Sequence, residues 1–192
     1  MFNDARSGKV ILVAHCLLNQ NSIVPGLARY GAIVKKLIDL LIKYNLGVIQ
    51  LPCPEMLHCG LLRWWMTREQ YDNPGFRSLC RRLSKQILDY VVEYTRSGVR
   101  VIGLIGIAGS PSCGVYTTSA GWRGGEPSTK YSSRRVEGRG VFMDVLLSML
   151  KQLNIQLEVL VEYDYSNEEE SIRRIEFELQ KTLKHNLDVN TK

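Results

Sequence analysis

Three cysteines could do chemistry together in this chain. Cys16, Cys53 and Cys113 each follow a short apolar run: Val10 to Ala14, Gly47 to Leu51 and Val99 to Ile107. Three thiolates with no obligatory fourth suit an iron-sulfur cluster that keeps one iron open, because cysteine thiolates are the usual cluster ligands. Zinc is the competing reading, with Cys59, His58 or His15 as fourth ligand in a tetrahedral shell. A third reading makes Cys113 a thiol nucleophile, its pKa lowered by a following helix or backbone nest, although no histidine stands out as its base. The bland reading is that all three are small buried hydrophobes.

What decides whether they meet is the set of elements that carries them. Each run is rich in Val, Ile and Leu, too short for a helix, and followed by a Pro- or Gly-bearing loop, as a buried parallel strand would be. Between the first two runs, Tyr30, Ile33, Val34, Leu37, Leu41 and Tyr44 recur at helical spacing. The second run leads into a long loop through Asp72. A helix then starts at Pro74 with Asn73 as N-cap and stops at Gly98. A third helix starts near Gly140, a fourth strand spans Ile155 to Val161 and alternates like an edge strand, and a last helix opens on a Ser166/Glu169 capping box. Alternating strands and helices predict a single α/β, doubly wound, Rossmann-like domain over residues 1–192, with a mainly parallel sheet in the order 2-1-3-4. The C-terminal strand and helix occupy residues 155–187. Ligands of such sheets bind beyond the carboxyl ends of the strands, and neighbouring strands lie about 5 Å apart, so all three cysteine loops would share one rim.

Composition narrows the class. The chain has 192 residues, 45% of them hydrophobic, with a net charge of +6 and five cysteines. An odd cysteine count without a C-x-x-C pair fits reduced thiols or metal ligands better than a disulfide framework. No stretch reads as a signal peptide or membrane span, so a cytoplasmic protein without a membrane partner is expected. The positive charge is spread through the chain, which makes RNA a less favoured partner than a small molecule.

The residues around the cysteines are more specific. Cys16 opens Cys16-Leu17-Leu18-Asn19, Cys53 sits in Pro52-Cys53-Pro54-Glu55, and Cys113 ends Gly109-Ser110-Pro111-Ser112-Cys113-Gly114. In order, these resemble the signatures of the thiouracil desulfidase (TudS-like) family: Cys-Leu-Leu-Gly, Cys-Pro-Glu and Ser-Pro-Ser-Cys-Gly. The resemblance runs from residue 9 to about 150. It departs from the pattern at Asn19, at Ile23 to Gly26, and in the segment Gly60 to Trp65, so the ligand positions are kept while the loops facing the substrate differ. The chain looks like a divergent branch.

The resemblance implies a 4Fe-4S cluster on Cys16, Cys53 and Cys113, lost or replaced by zinc in aerobic preparations. Its open iron would take the sulfur of a thiolated uracil base or nucleotide, in a non-redox reaction releasing sulfide. Glu55, two residues past a ligand, is the carboxylate to activate water or relay a proton. Ser110 and Ser112 flank Pro111 and could hydrogen-bond to cluster sulfur or to a pyrimidine oxygen. Asn19 belongs to a substrate-facing loop. The alternative is a non-catalytic zinc or iron-sulfur protein that binds nucleotide or RNA.

A loop from Tyr116 to Arg139 follows the last ligand and must pass over the rim. It carries Arg123, Lys130, Arg134, Arg135 and Arg139, and it reads as a lid whose arginines grip a nucleotide phosphate, assisted by backbone donors of the next helix near Gly138 and Gly140. Trp64 and Trp65 could stack on a base or pack in the core. Cys80 falls on the apolar stripe of its helix and is expected in the core.

Overall fold

A computed structural model describes residues 3–125 and 132–189, so Lys130 lies outside the described residues. Strands β1 (Lys9–Val13), β2 (Gly47–Gln50), β3 (Arg100–Ile107) and β6 (Val159–Tyr163) form one parallel sheet in the order β2-β1-β3-β6. This is the predicted 2-1-3-4 arrangement, with β6 as the fourth strand at one edge. The fold is mixed α/β and Rossmann-like.

β3 is buried from Val101 onward, as a central strand between helix layers must be. Gly103 in its middle is required: a Cβ there would sit 2.3 Å from the Val159 carbonyl oxygen of β6. Helix α5 (Pro74–Arg96) packs on α6 (Val141–Gln152), and α2 (Lys35–Lys43) packs on α7 (Glu168–Val189). Right-handed crossovers running in opposite directions along the sheet place helices on opposite faces in this way. Asn73 caps α5 as predicted, its Oδ1 accepting from the Phe76 N–H at 3.0 Å. Cys80 is fully buried in the core. No helix among the described residues is long and apolar enough to cross a membrane.

Several elements differ from the sequence reading. The helical spacing from Tyr30 to Val34 is not used, since α2 begins only at Lys35; the Tyr30 hydroxyl reaches across to Tyr163 and Glu168 instead. Strand β6 starts at Val159, not Ile155, because Asn154 in a left-handed turn and the Ile155 N–H bonded to Leu150 O still belong to the end of α6. Its register with β3 begins at Gly103 opposite Val159. The cap of α7 is Asn167, whose Oδ1 accepts from the Glu170 N–H at 3.2 Å, whereas Ser166 Oγ donates to Asp164.

The two long connections also hold structure. The one after β2 contains α3 (Pro54–Cys59) and α4 (Arg68–Tyr71). The one after Cys113 contains an antiparallel hairpin, β4 (Thr117–Ala120) with β5 (Arg134–Glu137). A short helix α1 (His15–Leu18) follows β1.

Candidate active site at the carboxyl edge of the sheet

Because β1, β2 and β3 are parallel neighbours, their carboxyl ends open on one edge, and the loops that follow them deliver Cys16, Cys53 and Cys113 to the lining of a single cavity of ≈ 380 Å³. That volume is in the range of small-molecule sites. Each cysteine is placed by local structure. Cys16 lies in the first turn of α1, with its carbonyl accepting from Gln20 Nε2 at 2.7 Å. Cys53 is the N-cap of α3, its Sγ accepting from the Met56 N–H at 3.4 Å, and Pro54 supplies the first helical position. Cys113 closes a tight loop after β3: its N–H donates to Ser110 Oγ at 2.9 Å and its carbonyl accepts from the Ile107 N–H at 2.9 Å.

That loop is held from two sides. Gly140 lets the start of α6 press against it, since a Cβ at Gly140 would lie 2.4 Å from the Ser112 carbonyl carbon and 2.8 Å from the Cys113 nitrogen. The first N–H groups of α6 then bond to it, Val141 to Pro111 O at 2.9 Å and Phe142 to Ser112 O at 3.0 Å. On the other side the buried Glu162 of β6 accepts from the N–H groups of Val115, Tyr116 and Thr117 at 2.6 to 2.8 Å and from Thr117 Oγ1 at 3.0 Å. Glu162 therefore ties the sheet to the chain that leaves the Cys113 loop.

Glu55 is buried beside the thiols and fully engaged. Its Oε1 accepts from Ser112 Oγ at 2.6 Å, and its Oε2 pairs with the Arg63 guanidinium at 3.1 Å. Arg63 is itself buried and also donates to Ser22 O at 3.0 Å. A carboxylate next to a guanidinium and a hydroxyl donor is set up to be an acceptor. Ser110 mainly shapes the loop, accepting from the N–H groups of both Ser112 and Cys113, and lines the cavity as well.

Burial pushes the thiol pKa values of Cys16, Cys53 and Cys113 upward; neighbouring thiols of the trio add to the shift at Cys16 and Cys113, and Glu55 adds to it at all three. A nucleophilic cysteine needs the opposite shift. Among the described residues no histidine lines the cavity to act as its base. The fourth ligands considered for zinc are also elsewhere: His15 Nδ1 meets Gln50 Nε2 at 3.0 Å, the His58 ring stands edge-on to Phe76, and neither they nor Cys59 line the cavity. Among the described residues no three His, Cys, Asp or Glu side chains are arranged to hold one metal ion.

The expected substrate-binding residues divide. Arg134 and Arg135 line the cavity from the hairpin, and Arg123 does not. Arg135 is tied to Asp164 through two guanidinium nitrogens and lies over Gly109, whereas the Arg134 side chain has no hydrogen-bond or ion-pair partner among the described residues. Asn19 does not line the cavity; it caps the 3-10 turn Gln20–Ser22, accepting from the Asn21 N–H at 3.1 Å. The α6 terminus does not offer phosphate donors. The Gly138 N–H goes to Tyr116 O and the Gly140 N–H to Gly114 O, and the next two serve the cysteine loop. Neither Trp64 nor Trp65 is in the core.

Two residues of the site escape the sequence reading. Arg63 was visible only as part of a divergent loop. Tyr165, in the turn after β6, lines the cavity, and its hydroxyl accepts from Gln20 Nε2 at 2.8 Å. Nothing in the local sequence signals it, because 145 residues separate it from Gln20.

A parallel α/β sheet with three thiols and a buried carboxylate around a ligand-sized cavity at its carboxyl edge defines a Rossmann-like protein with a thiol-lined site. Residues 8–136 match the family described as "Putative 2-thiouracil desulfurase", and the chain belongs to that family, as the three cysteine motifs indicated. It is also similar to an uncharacterized protein of Methanocaldococcus jannaschii, 31% identical over 176 residues that cover 92% of this chain and 97% of that one. No solved structure matches it.

Proposed function

We propose that the protein is a desulfidase that converts a thiolated uracil base or nucleotide to the oxo form, replacing the C=S bond by C=O with water as the oxygen donor and hydrogen sulfide as the second product. The observation that carries this reading is the gathering of Cys16, Cys53 and Cys113 from three strand ends around one cavity, with Glu55 buried beside them. Three thiols without a fourth Cys or His suit a 4Fe-4S cluster with one iron free of protein ligand better than they suit a four-coordinate zinc. When bound, the cluster supplies a thiophilic Lewis acid that polarises the carbon-sulfur bond.

The chain's own residues handle water and protons. Glu55 is the proton acceptor, held in place by Arg63 at Oε2. Ser112 Oγ, which donates to Glu55 Oε1 at 2.6 Å, relays a proton from the attacking water to the carboxylate. Ser110 keeps the Cys113 loop closed and lines the cavity beside it. Ile23, Val24 and Leu27 give the cavity an apolar wall, and Arg134, whose guanidinium has no partner among the described residues, offers itself to the phosphate of a nucleotide substrate.

Anaerobic reconstitution with iron, sulfide and zinc analysis tests the proposal. The protein should turn brown; Cys16→Ser, Cys53→Ser and Cys113→Ser should each abolish the colour, while Cys80→Ser should keep it. Glu55→Gln should retain the cluster and lose desulfidation by about a hundredfold or more. Stoichiometric zinc with no iron would overturn the cluster, and an undiminished rate in Glu55→Gln would remove the carboxylate from the mechanism.

A further inference from the structure

The segment after α3 exposes large apolar side chains in close succession: Leu61 is 49% exposed, Leu62 88%, Trp64 84% and Trp65 57%. Of these, only Trp65 lines the cavity. Its position is fixed from both sides. Two residues earlier, the buried Arg63 is pinned to Glu55 and to Ser22 O. Two residues later, the fully buried Thr67 caps α4, its N–H donating to Gln70 Oε1 at 2.9 Å. An indole ring is thus held at the cavity by an anchored backbone, with more than half of its surface still in water. Aromatic rings of this size contribute much of their energy by being covered, and a π-face accepts any planar heteroaromatic ring regardless of its edge chemistry.

The geometry points to Trp65 as a specificity-determining residue that stacks on the pyrimidine ring of the substrate and covers the cavity once the ring is in place. This rests on the desulfidase reading for the identity of the ring. It extends that reading by assigning recognition of the ring plane to the loop in which the chain departs from the family signature. The charged residues beside this loop are already engaged, Glu55 with Arg63 and Ser112, and Arg135 with Asp164. What this loop itself offers the cavity is the apolar, planar face of Trp65. Trp64, adjacent in sequence but absent from the lining, supplies an internal control with the same side chain.

The test uses uridine monophosphate, the unreactive oxo counterpart of a thiolated nucleotide, titrated into the full chain by calorimetry and by tryptophan fluorescence. Trp65→Ala should weaken binding by about 5- to 150-fold, the range that loss of one aromatic-base stack produces. Trp65→Phe should recover most of the affinity while abolishing the fluorescence quench, and Trp64→Ala should change neither. With a thiolated substrate, Trp65→Ala should raise KM in the same proportion and leave kcat within a few-fold. Unchanged affinity in Trp65→Ala, an equal loss in Trp64→Ala, or no binding of uridine monophosphate by the wild type would each overturn the assignment. The two ideas fail separately. A protein that holds no cluster and releases no sulfide, yet binds uridine monophosphate through Trp65, would overturn the desulfidase reading alone. Sulfide release with an unchanged KM in Trp65→Ala would overturn the stacking role alone.

Discussion

Replacing Arg63 with methionine removes the guanidinium that faces Glu55 while keeping a long apolar side chain in the same space. The pair is buried, with side-chain exposures of 3% for Arg63 and 10% for Glu55, so water replaces the lost partner poorly. Breaking such a pair from one side costs about 3–5 kcal/mol, because it leaves an uncompensated charge in the interior. The Ser22 carbonyl loses its 3.0 Å donor as well. For a chain of 192 residues, with about 2–4 °C of Tm per kcal/mol, the melting temperature should fall by about 6–20 °C. A double-variant cycle separates charge from packing. Adding Glu55→Gln removes the orphaned charge, so Arg63→Met with Glu55→Gln should be about 1–3 kcal/mol more stable than the sum of the single effects. Glu55→Gln alone also costs stability, since Ser112 and Arg63 donate to different carboxylate oxygens and the amide NH2 that replaces one of them cannot accept. Urea unfolding of the four proteins under anaerobic, metal-free conditions gives the numbers. A cost below about 1 kcal/mol for Arg63→Met, or strict additivity in the cycle, would refute the argument that the pair is a desolvated unit on which the carboxylate depends.

Three further outcomes follow from the same geometry. Cys16, Cys53 and Cys113 have raised pKa values, so all three are protonated near neutrality; on the proposed function, in which they hold a cluster, loading would release up to three protons and its constant should rise with pH by up to about a thousandfold per unit, and a pH-independent constant would contradict that proposal. Gly140→Ala forces a Cβ into the Ser112 carbonyl and should cost about 1–3 kcal/mol and impair loading, whereas Gly75→Ala, whose nearest neighbour is Asn73 Oδ1 at 3.4 Å, should do neither; equal behaviour of the two in reconstitution would refute the close packing of α6 on the loop. The Arg135 side chain, with Ser166 in support, depresses the Asp164 pKa from 3.8 to about 2, so the lock between hairpin and β6 is complete above the unperturbed value and is lost as pH falls through about 2. Asp164→Asn should speed hydrogen exchange in β5 at neutral pH, and the wild type should approach that behaviour in acid; no change in β5 protection would show that the ion pair does not hold the hairpin.

The parallel sheet and its order were legible because apolar runs, breakers and caps are local signals: Asn73-Pro74 sets the start of α5 wherever the helix ends up, and β3 reads as central from its unbroken Val, Ile and Leu content. That legibility extended to the three cysteines, since strand ends in a parallel sheet share an edge by topology alone. Boundaries governed by competition were less visible. Tyr30 to Val34 have helical spacing, yet the hydroxyl of Tyr30 is drawn to Tyr163 and Glu168 across 133 and 138 residues, and the helix waits until Lys35. The hairpin behind Cys113 leaves little local signal because β4 and β5 are short and gain their order from each other and from the Glu162 clamp.

What only the tertiary structure decided is which polar side chains are free to act. Arg134 and Arg135 are adjacent and identical in sequence, but Asp164, from a different strand end, engages one and leaves the other at the cavity. The amides at the start of α6 look like an anion site until Gly140 brings the Pro111 and Ser112 carbonyls against them. Arg63 and Tyr165 enter the site through partners that the sequence does not place beside them. The residue types and their order therefore determine the chemistry this chain can offer. Which donors and acceptors remain unpaired depends on long-range contacts, because a buried polar group takes the partner that folding brings to it rather than the one next to it in the chain.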